Sequence, residues 1–416
     1  MRVCVLGAGV TGILSAYYLA RDGHEVVVID RARQAALECS FANGGQLSYS
    51  HAEPWANPGV FPKLFKWMFD EDAPLVLRLR PDDPQMMKWG MRFLWNCRKS
   101  AAQQNCVSML RLALHSREKM AEIREETGIE FDFSAKGILH VFSNDKDFEA
   151  AQKHAEFQHQ YGCTEDVLSW KECIEKEPNL AHTEQSMVGG MYAPIDECGD
   201  IHLFTTRLAE YCQEKYGVEF IYDTEILRLH KHNEQVRYVS TNTGNISADA
   251  FVCALGAYSP LLLKPLGIHV PIYPMKGYSV TFPASEHSPN MSVTDGARKI
   301  VYSRLGNRIR VAGTAEFAGY NTDLREKRIA PIVRGVEALF PKMDASKHDL
   351  WACLRPSTPD GPAVIGRTKY KNLFLNTGHG TLGWTQGAGS ANLLASVVKE
   401  ETPEISLERL TVERYG

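Results

Sequence analysis

Three glycines, Gly7, Gly9 and Gly12, stand in the run Leu6-Gly7-Ala8-Gly9-Val10-Thr11-Gly12 near the start of the chain. A short valine-rich stretch, residues 2–6, precedes them, and small and apolar residues at helical spacing follow from Ile13 to Arg21. Between a strand and a helix, this pattern is a phosphate cradle. Gly7 makes the turn, Gly9 lets backbone approach a pyrophosphate, and Gly12 lets the helix close on the sheet. Unpaired N–H groups and the positive end of the helix dipole then face the phosphates. Asp30, 18 residues past Gly12, closes a second apolar run, residues 25–29, where its carboxylate suits a ribose hydroxyl and would repel a 2′-phosphate. Near the other end, residues 373–377 run into Gly378-His379-Gly380-Thr381-Leu382-Gly383, and a helix is predicted from Trp384 to Lys399. That geometry repeats the first: a strand delivers a glycine-rich turn to a helix N-terminus.

The elements that must hold these turns together are discontinuous. One βαβ unit covers residues 2–30, and a small polar loop with paired glycines, Cys39 to Gln46, follows in place of further βα units. Residues 55–195 carry helical patterns such as Met109 to Arg124 and do not read as a nucleotide fold. Strand character returns in Val218 to Leu229 and in Ala250 to Gly256, and alternating apolar and polar residues from Ile272 to about Lys342 predict an antiparallel sheet. The fold class expected is α/β plus β, with a Rossmann-like domain built from residues 1–54, 196–271 and 350–416. The antiparallel-sheet substrate domain, with helical insertions, takes residues 55–195 and 272–349.

With 416 residues, the chain is long enough for two or three domains at roughly 150 residues each. Lys plus Arg number 46 against 50 Asp plus Glu, so no global positive field exists to hold nucleic acid. The ten cysteines show no CxxC pair and no Cys/His spacing of the kind zinc sites use, which predicts a reducing compartment and no metal. Gly7, Gly9 and Gly12 break the first apolar stretch as a signal-peptide helix, and the sequence has no run of 18 or more uncharged apolar residues that would span a bilayer.

The opening RVCVLGAGVTG, then NGGQ, EPWANPGV, KWMF, YPMKGYS, NRIRVAGTAEF, LRPSTPDGPAVIGRT and NTGHGTLGWT, resemble the D-amino acid dehydrogenase small subunit family. That family lies within the flavoproteins that include D-amino acid oxidase, glycine oxidase and sarcosine oxidase, and the resemblance covers essentially the whole chain. It implies a non-covalently bound FAD and oxidative deamination of D-amino acids to 2-oxo acids and ammonia. Hydride would pass from substrate Cα to flavin N5 and electrons onward to a quinone or dye. The alternative is an O₂-using amine oxidase of the glycine or sarcosine oxidase type. For FAD, the resemblance implies a site formed by Val3, Leu6, Gly7, Ala8, Gly9, Val10, Thr11 and Gly12 at the first turn, with Asp30 and Arg31 beyond it. Ser40, Asn43, Gly44, Gln46 and Leu47 follow in the polar loop, Ile226 at an adenine-contacting position, and Gly256 after a strand. The last turn supplies Gly378, His379, Gly380, Thr381, Leu382, Gly383 and Thr385, facing the pyrimidine edge of the flavin.

Substrate recognition needs a partner for a carboxylate, and a guanidinium making paired hydrogen bonds supplies it. The arginine of the LRP-type motif has that role in the resembling oxidases, which singles out Arg355. Tyr278 either adds a phenolic hydrogen bond to the carboxylate or is a core tyrosine, and Lys276 either lies near the flavin or is an exposed strand lysine. His51 either lines the substrate mouth or packs at the surface; relatives tend to carry tyrosine there. His379 offers the cofactor either a ring donor or only a neutral spacer. Arg308 and Arg310 read as solvated or domain-contact charges, and Cys353 as a buried free thiol rather than a thioether to flavin. Finally, Trp55, Trp67, Trp89 and Trp95 with Phe61, Phe65, Phe69 and Phe93, interspersed with Lys63, Lys66, Arg78 and Arg80, form either a helical cap or an amphipathic patch for peripheral membrane contact. The chain is expected in the cytoplasm, or peripherally on the inner face of the cytoplasmic membrane.

Overall fold

The computed structural model describes residues 1–63, 70–78 and 83–416. Strand β1 (Arg2–Leu6) turns at Gly7 into helix α1 (Val10–Arg21) and returns as β2 (Glu25–Ile29), parallel to β1. Around them a six-stranded sheet runs β19-β20-β13-β1-β2-β9, from β9 (Glu219–Ile221), β13 (Ala250–Cys253), β19 (Val364–Arg367) and β20 (Leu373–Thr377). All its pairings are parallel except β19 with β20. Such strands are covered on both faces, which is why they read as unbroken apolar runs. One face packs on α1 and on α7 (Gly383–Val398), itself laid against the long α3 (Lys99–Thr127).

The predicted strand Val218 to Leu229 is two elements, because Asp223 takes φ +51 and turns the chain. Its second half, β10 (Ile226–His232), joins β11 (Gln235–Thr241) and β12 (Gly244–Ser247) in a three-stranded antiparallel sheet.

The third sheet has nine strands. Its path is β18-β14-β17-β16-β15-β5-β7-β6, with β4 (Leu75–Leu77) added beside β17. The strands are β5 (Ile138–Phe142), β6 (Asp166–Ser169), β7 (Gly189–Ala193), β14 (Tyr273–Pro283), β15 (Ser292–Asp295), β16 (Ile300–Leu305), β17 (Arg308–Phe317) and β18 (Asp349–Ser357). Antiparallel pairing was expected; the sheet is mixed, since β15 with β5 and β17 with β4 run parallel. β18 belongs to this sheet, so the chain leaves it after Ser357 and not at residue 350. One face packs on α6 (Glu326–Leu339) through Tyr278, Val280, Phe282, Ile332 and Val336. A small outer core joins α2 (Pro84–Asn96), through Trp89 and Phe93, to Tyr273 and Phe317. α4 (Asp145–His159) and α5 (Ile201–Tyr216) complete the helices used below, and β3 (Gln46–Leu47) pairs with β8 (Glu197–Cys198).

Candidate active site

A cavity of about 450 Å³ lies where the six-stranded sheet, the three-stranded sheet and the nine-stranded sheet meet. Its floor is the first glycine turn. Gly7 takes φ +107, and a Cβ there would stand 2.8 Å from the Ala254 carbonyl oxygen; a Cβ at Gly12 would stand 1.9 Å from that of Gly7. The turn therefore closes only with glycine at both positions. Gly9 is different: a Cβ there would meet only Ser40 Oγ, at 3.7 Å, so its surface is left open for a ligand. No side chain caps α1 at Gly9, and the Val10 amide donates to Ser40 Oγ at 3.0 Å. Asp30 closes the turn from the side, accepting from the Ala8 amide at 2.6 Å and the Ala32 amide at 2.8 Å. Burial raises its pKa, against those two bonds. Arg31, paired with Glu38, lies over the Tyr258 ring at 4.2 Å.

The last glycine turn forms a second wall. Gly378 and Gly380 take φ +79 and +55, and no side chain caps α7 at Leu382. A bridge between Ser357 and His379, with the Gly380 amide donating to the Pro356 carbonyl at 2.9 Å, ties this turn to β18.

On β18 the side chains alternate, and Trp351, Cys353 and Arg355 all line the cavity. Arg355 makes no hydrogen bond and no ion pair among the described residues, and it lies across Gly277, where a Cβ would stand 2.5 Å from the guanidinium. A planar cation thus faces a cavity whose opposite wall is a phosphate cradle. Two helix N-termini and an arginine with unused donors suit a ligand with a pyrophosphate at one end and a second, small anion beside it.

The sequence matches the FAD dependent oxidoreductase family over residues 2–397. The chain belongs to that family. Similar over their full length are D-amino acid dehydrogenases of Dechloromonas aromatica, 46% identical across 97% of this chain and 98% of the relative, and of Paramagnetospirillum magneticum, 47% identical across 100% and 99%. Among solved structures, a glycine oxidase from Geobacillus kaustophilus shares the fold with a TM-score of 0.78 at 21% identity, covering 99% of this chain and 98% of that one. An L-proline dehydrogenase from P. horikoshii has a TM-score of 0.75 at 19% identity, covering 100% and 97%. The glycine cradle that any Cβ would close fits FAD.

For an FAD-dependent oxidoreductase, the remaining site residues sort by their distance from that cavity. Gly7, Ala8, Gly9, Val10, Thr11, Asp30 and Arg31 line it, as do Ser40, Asn43, Ile226 and Gly256, and Gly380, Thr381 and Gly383 from the last turn. Val3 and Leu6 are interior to β1 and fully buried, and Leu47 is equally buried, in the core that holds Val3. Gly12 lies beneath Gly7, and Gly44 packs against Val301 and Ala312. Gln46 donates to Ser292 and Thr294, and Thr385 Oγ1 accepts from the Ser48 amide at 3.1 Å. Gly378 and Leu382 shape the last turn without lining the cavity. His379 borders it, but its Nε2 lies 3.0 Å from Ser390 Oγ and burial lowers its pKa to about 4. Its ring is neutral and held by α7, so the turn offers backbone donors.

Three of the expected side chains are engaged elsewhere in the protein. Strand alternation sends Lys276 and Tyr278 to the face of β14 opposite Arg355, although Tyr278 also counts among the residues lining the cavity. Lys276 Nζ lies 2.9 Å from Glu316 Oε1, and the Tyr278 hydroxyl donates to the same oxygen at 2.6 Å. Glu316 is held down to about 2: burial opposes ionisation, and Tyr278, Lys276 and Arg78 outweigh it. His51 does not line the cavity. The chain turns away after Leu47 and is pinned by Ser50, whose amide and hydroxyl donate to Asp196 at 2.9 and 2.7 Å. His51 stacks on His140, with ring centroids 3.8 Å apart. Burial would lower its pKa, but Glu165 and Glu53 raise it to about 10.

Several cavity residues escaped the sequence. Trp351 and Cys353 precede Arg355 at two-residue steps, so the parity of that strand pointed to them. Cys39 donates to the Leu354 carbonyl at 2.9 Å, and its hydrogen bond with Cys353, together with burial, pushes its pKa well up. Tyr258 carried no signal beyond its place after Gly256. Arg310 is a contact between segments: its Nη1 holds the Asn43 carbonyl at 3.2 Å.

Proposed function

We propose that this chain is a D-amino acid dehydrogenase that converts D-amino acids to 2-oxo acids and ammonia and delivers electrons to a quinone or dye acceptor. The observation that carries this reading is Arg355, a cation with no hydrogen-bond or ion-pair partner among the described residues, in the cavity of an FAD-dependent oxidoreductase. The names of the full-length relatives support it. FAD, when bound, supplies the hydride acceptor. The turn at 7–12 would hold its pyrophosphate and Asp30 its ribose, while the backbone donors of residues 379–383 would face the flavin end. Arg355 would take the substrate carboxylate in paired hydrogen bonds and so orient Cα. Cys353, hydrogen-bonded to Cys39, stays a thiol, and FAD is released on denaturation. We assign cofactor binding to the unit built on the six-stranded sheet and substrate binding to the nine-stranded sheet with β18 included.

The decisive test is anaerobic titration of the flavin absorbance with D- and L-amino acids, glycine and sarcosine. D-enantiomers alone should bleach it; bleaching by sarcosine or glycine in their place would make the chain an amine oxidase. The substrate amine must be neutral to lose hydride, so kcat/KM should rise with pH between about 6 and 10. A flat profile would count against the reading.

Among the described residues no helix is long and apolar enough to cross a membrane. On α2, Trp89 and Phe93 are buried while Met87, Met91, Leu94 and Trp95 are exposed. Phe65, Lys66, Trp67, Phe69 and Arg80, and the side chain of Lys63, lie outside the described residues. The exposed apolar side of α2 supports a cytoplasmic protein that docks peripherally where a quinone is dissolved. Sedimentation with phospholipid vesicles, lost in Leu94→Asp, tests it.

A further inference from the structure

Away from the cavity, a second set of polar groups converges. His51 from the loop after β3, His140 from β5 and Asp196 from the turn between β7 and β8 each place one ligand-type atom within 4.8 Å of the others. Glu165, just before β6, adds a carboxylate 3.5 Å from His51 Nε2, and its side chain is only 2% exposed. Glu53 lies 3.9 Å from His51 Nδ1 and is held at 2.7 Å by His154 Nε2. None of the first four lines the cavity.

These groups satisfy one another only in part. His140 is 9% exposed, and its Nε2 is buried with no hydrogen-bond partner; Glu165 Oε1 is buried and unpartnered as well. A buried acceptor left without a donor costs about 1–3 kcal/mol, more when it is charged. Asp196 is set in place by Ser50, with each oxygen accepting one hydrogen bond and keeping a lone pair. Two imidazoles and two carboxylates are a nitrogen and oxygen set whose negative charge equals that of a divalent ion. Neighbouring ligands of a tetrahedral ion with bonds of about 2.0–2.1 Å stand roughly 3.3 Å apart. His51, His140 and Asp196, whose ligand atoms lie within 4.8 Å of one another, would have to draw together to hold an ion, with Glu165 swinging in from beside His51.

We propose that His51, His140, Glu165 and Asp196 form a binding site for one divalent transition-metal cation of the zinc class. Four protein ligands make it a closed, structural centre and not a hydrolytic one. It would tie the loop after β3, anchored to α7 through Ser48 and Thr385, to the outer strands of the nine-stranded sheet. Cysteine spacing gave no sign of it, because the ligands are histidines and carboxylates spread from residue 51 to residue 196.

The test uses the FAD-loaded protein, stripped with a chelator and dialysed against zinc chloride, with bound zinc measured by mass spectrometry and Tm followed in parallel. One zinc per chain and a raised Tm are expected. His140→Gln and Glu165→Gln should each weaken binding roughly tenfold or more, since even outer partners of a metal site are worth about 10–100-fold. Flavin content should not change, and each variant checks the other if one folds poorly. His182 and His287, a separate pair with ring centroids 6.3 Å apart, serve as the control, so His287→Ala should retain the zinc. No stoichiometric zinc in the wild type, equal uptake by both glutamine variants, or loss in His287→Ala would overturn the proposal.

Discussion

The two faces of the β14 and β18 pair carry the same kinds of residue and do opposite things. On one, Lys276, Tyr278, Arg78 and Glu316 saturate each other, and buried Arg328 beside them spends its donors on the carbonyls of Ala73, Pro74 and Ala315. On the other, Arg355 lies over Gly277 and makes no hydrogen bond among the described residues. A satisfied network holds the sheet to its helix; an unsatisfied cation beside a cavity waits for an anion. Charge and strand position alone do not separate the two roles.

The contrast is sharpest at Glu316. Glu316→Ala leaves the Lys276 ammonium buried without its counter-charge, and we expect a loss of about 3–5 kcal/mol of stability, measured by denaturant unfolding of the FAD-loaded protein. Its folded pKa of about 2 lies below the ordinary 4.5, so its contribution is full above pH 4.5 and fades as pH falls toward 2. Unfolding midpoints of wild type and variant should converge over that window.

Arg355→Met should leave stability and flavin content nearly unchanged while raising KM for a D-amino acid roughly a hundredfold, from about 3 kcal/mol of paired charged hydrogen bonds. Arg355→Lys should restore only part of that, a single ammonium lacking the fork. If Arg355→Met unfolds the protein and Glu316→Ala abolishes substrate binding, the roles of the two faces are reversed. A smaller effect, about 1.5 kcal/mol of stability with KM unaltered, is expected for Tyr278→Phe, which removes one hydrogen bond to a carboxylate. Least of all, Gly277→Ala should push the guanidinium aside and raise KM about tenfold, or about 1.4 kcal/mol, without changing the unfolding midpoint.

How much of this was legible follows from what each region is made of. The cradle at residues 7–12 is a backbone shape, and glycine spacing reports backbone shape, so its turn, helix and following Asp30 could be read directly. Arg355 came through resemblance, since nothing in Leu354-Arg355-Pro356 states which way the side chain points. The same ambiguity left Lys276 and Tyr278 with two readings each: alternation shows that a strand has two faces and not which one borders the cavity, and a register shift between Gly277 and Tyr278 complicates the count. His51 was set through its neighbour Ser50, which is held by Asp196, 146 residues from it, a contact no local pattern records. Residues 350–357 were divided from their sheet because the motif they carry belongs to the cavity while their hydrogen bonds belong to β14.

The bridge from Ser357 to His379 makes the strand bearing Arg355 and the turn proposed to face the flavin one mechanical piece. It acts as a jig. On the proposed role of Arg355, a carboxylate clamped at one end of it would present the next carbon at a fixed distance from the other end, whatever side chain that carbon carries. Discrimination among amino acids then passes to the walls beyond the jig, and those walls can change over evolutionary time without disturbing where the reacting bond is held.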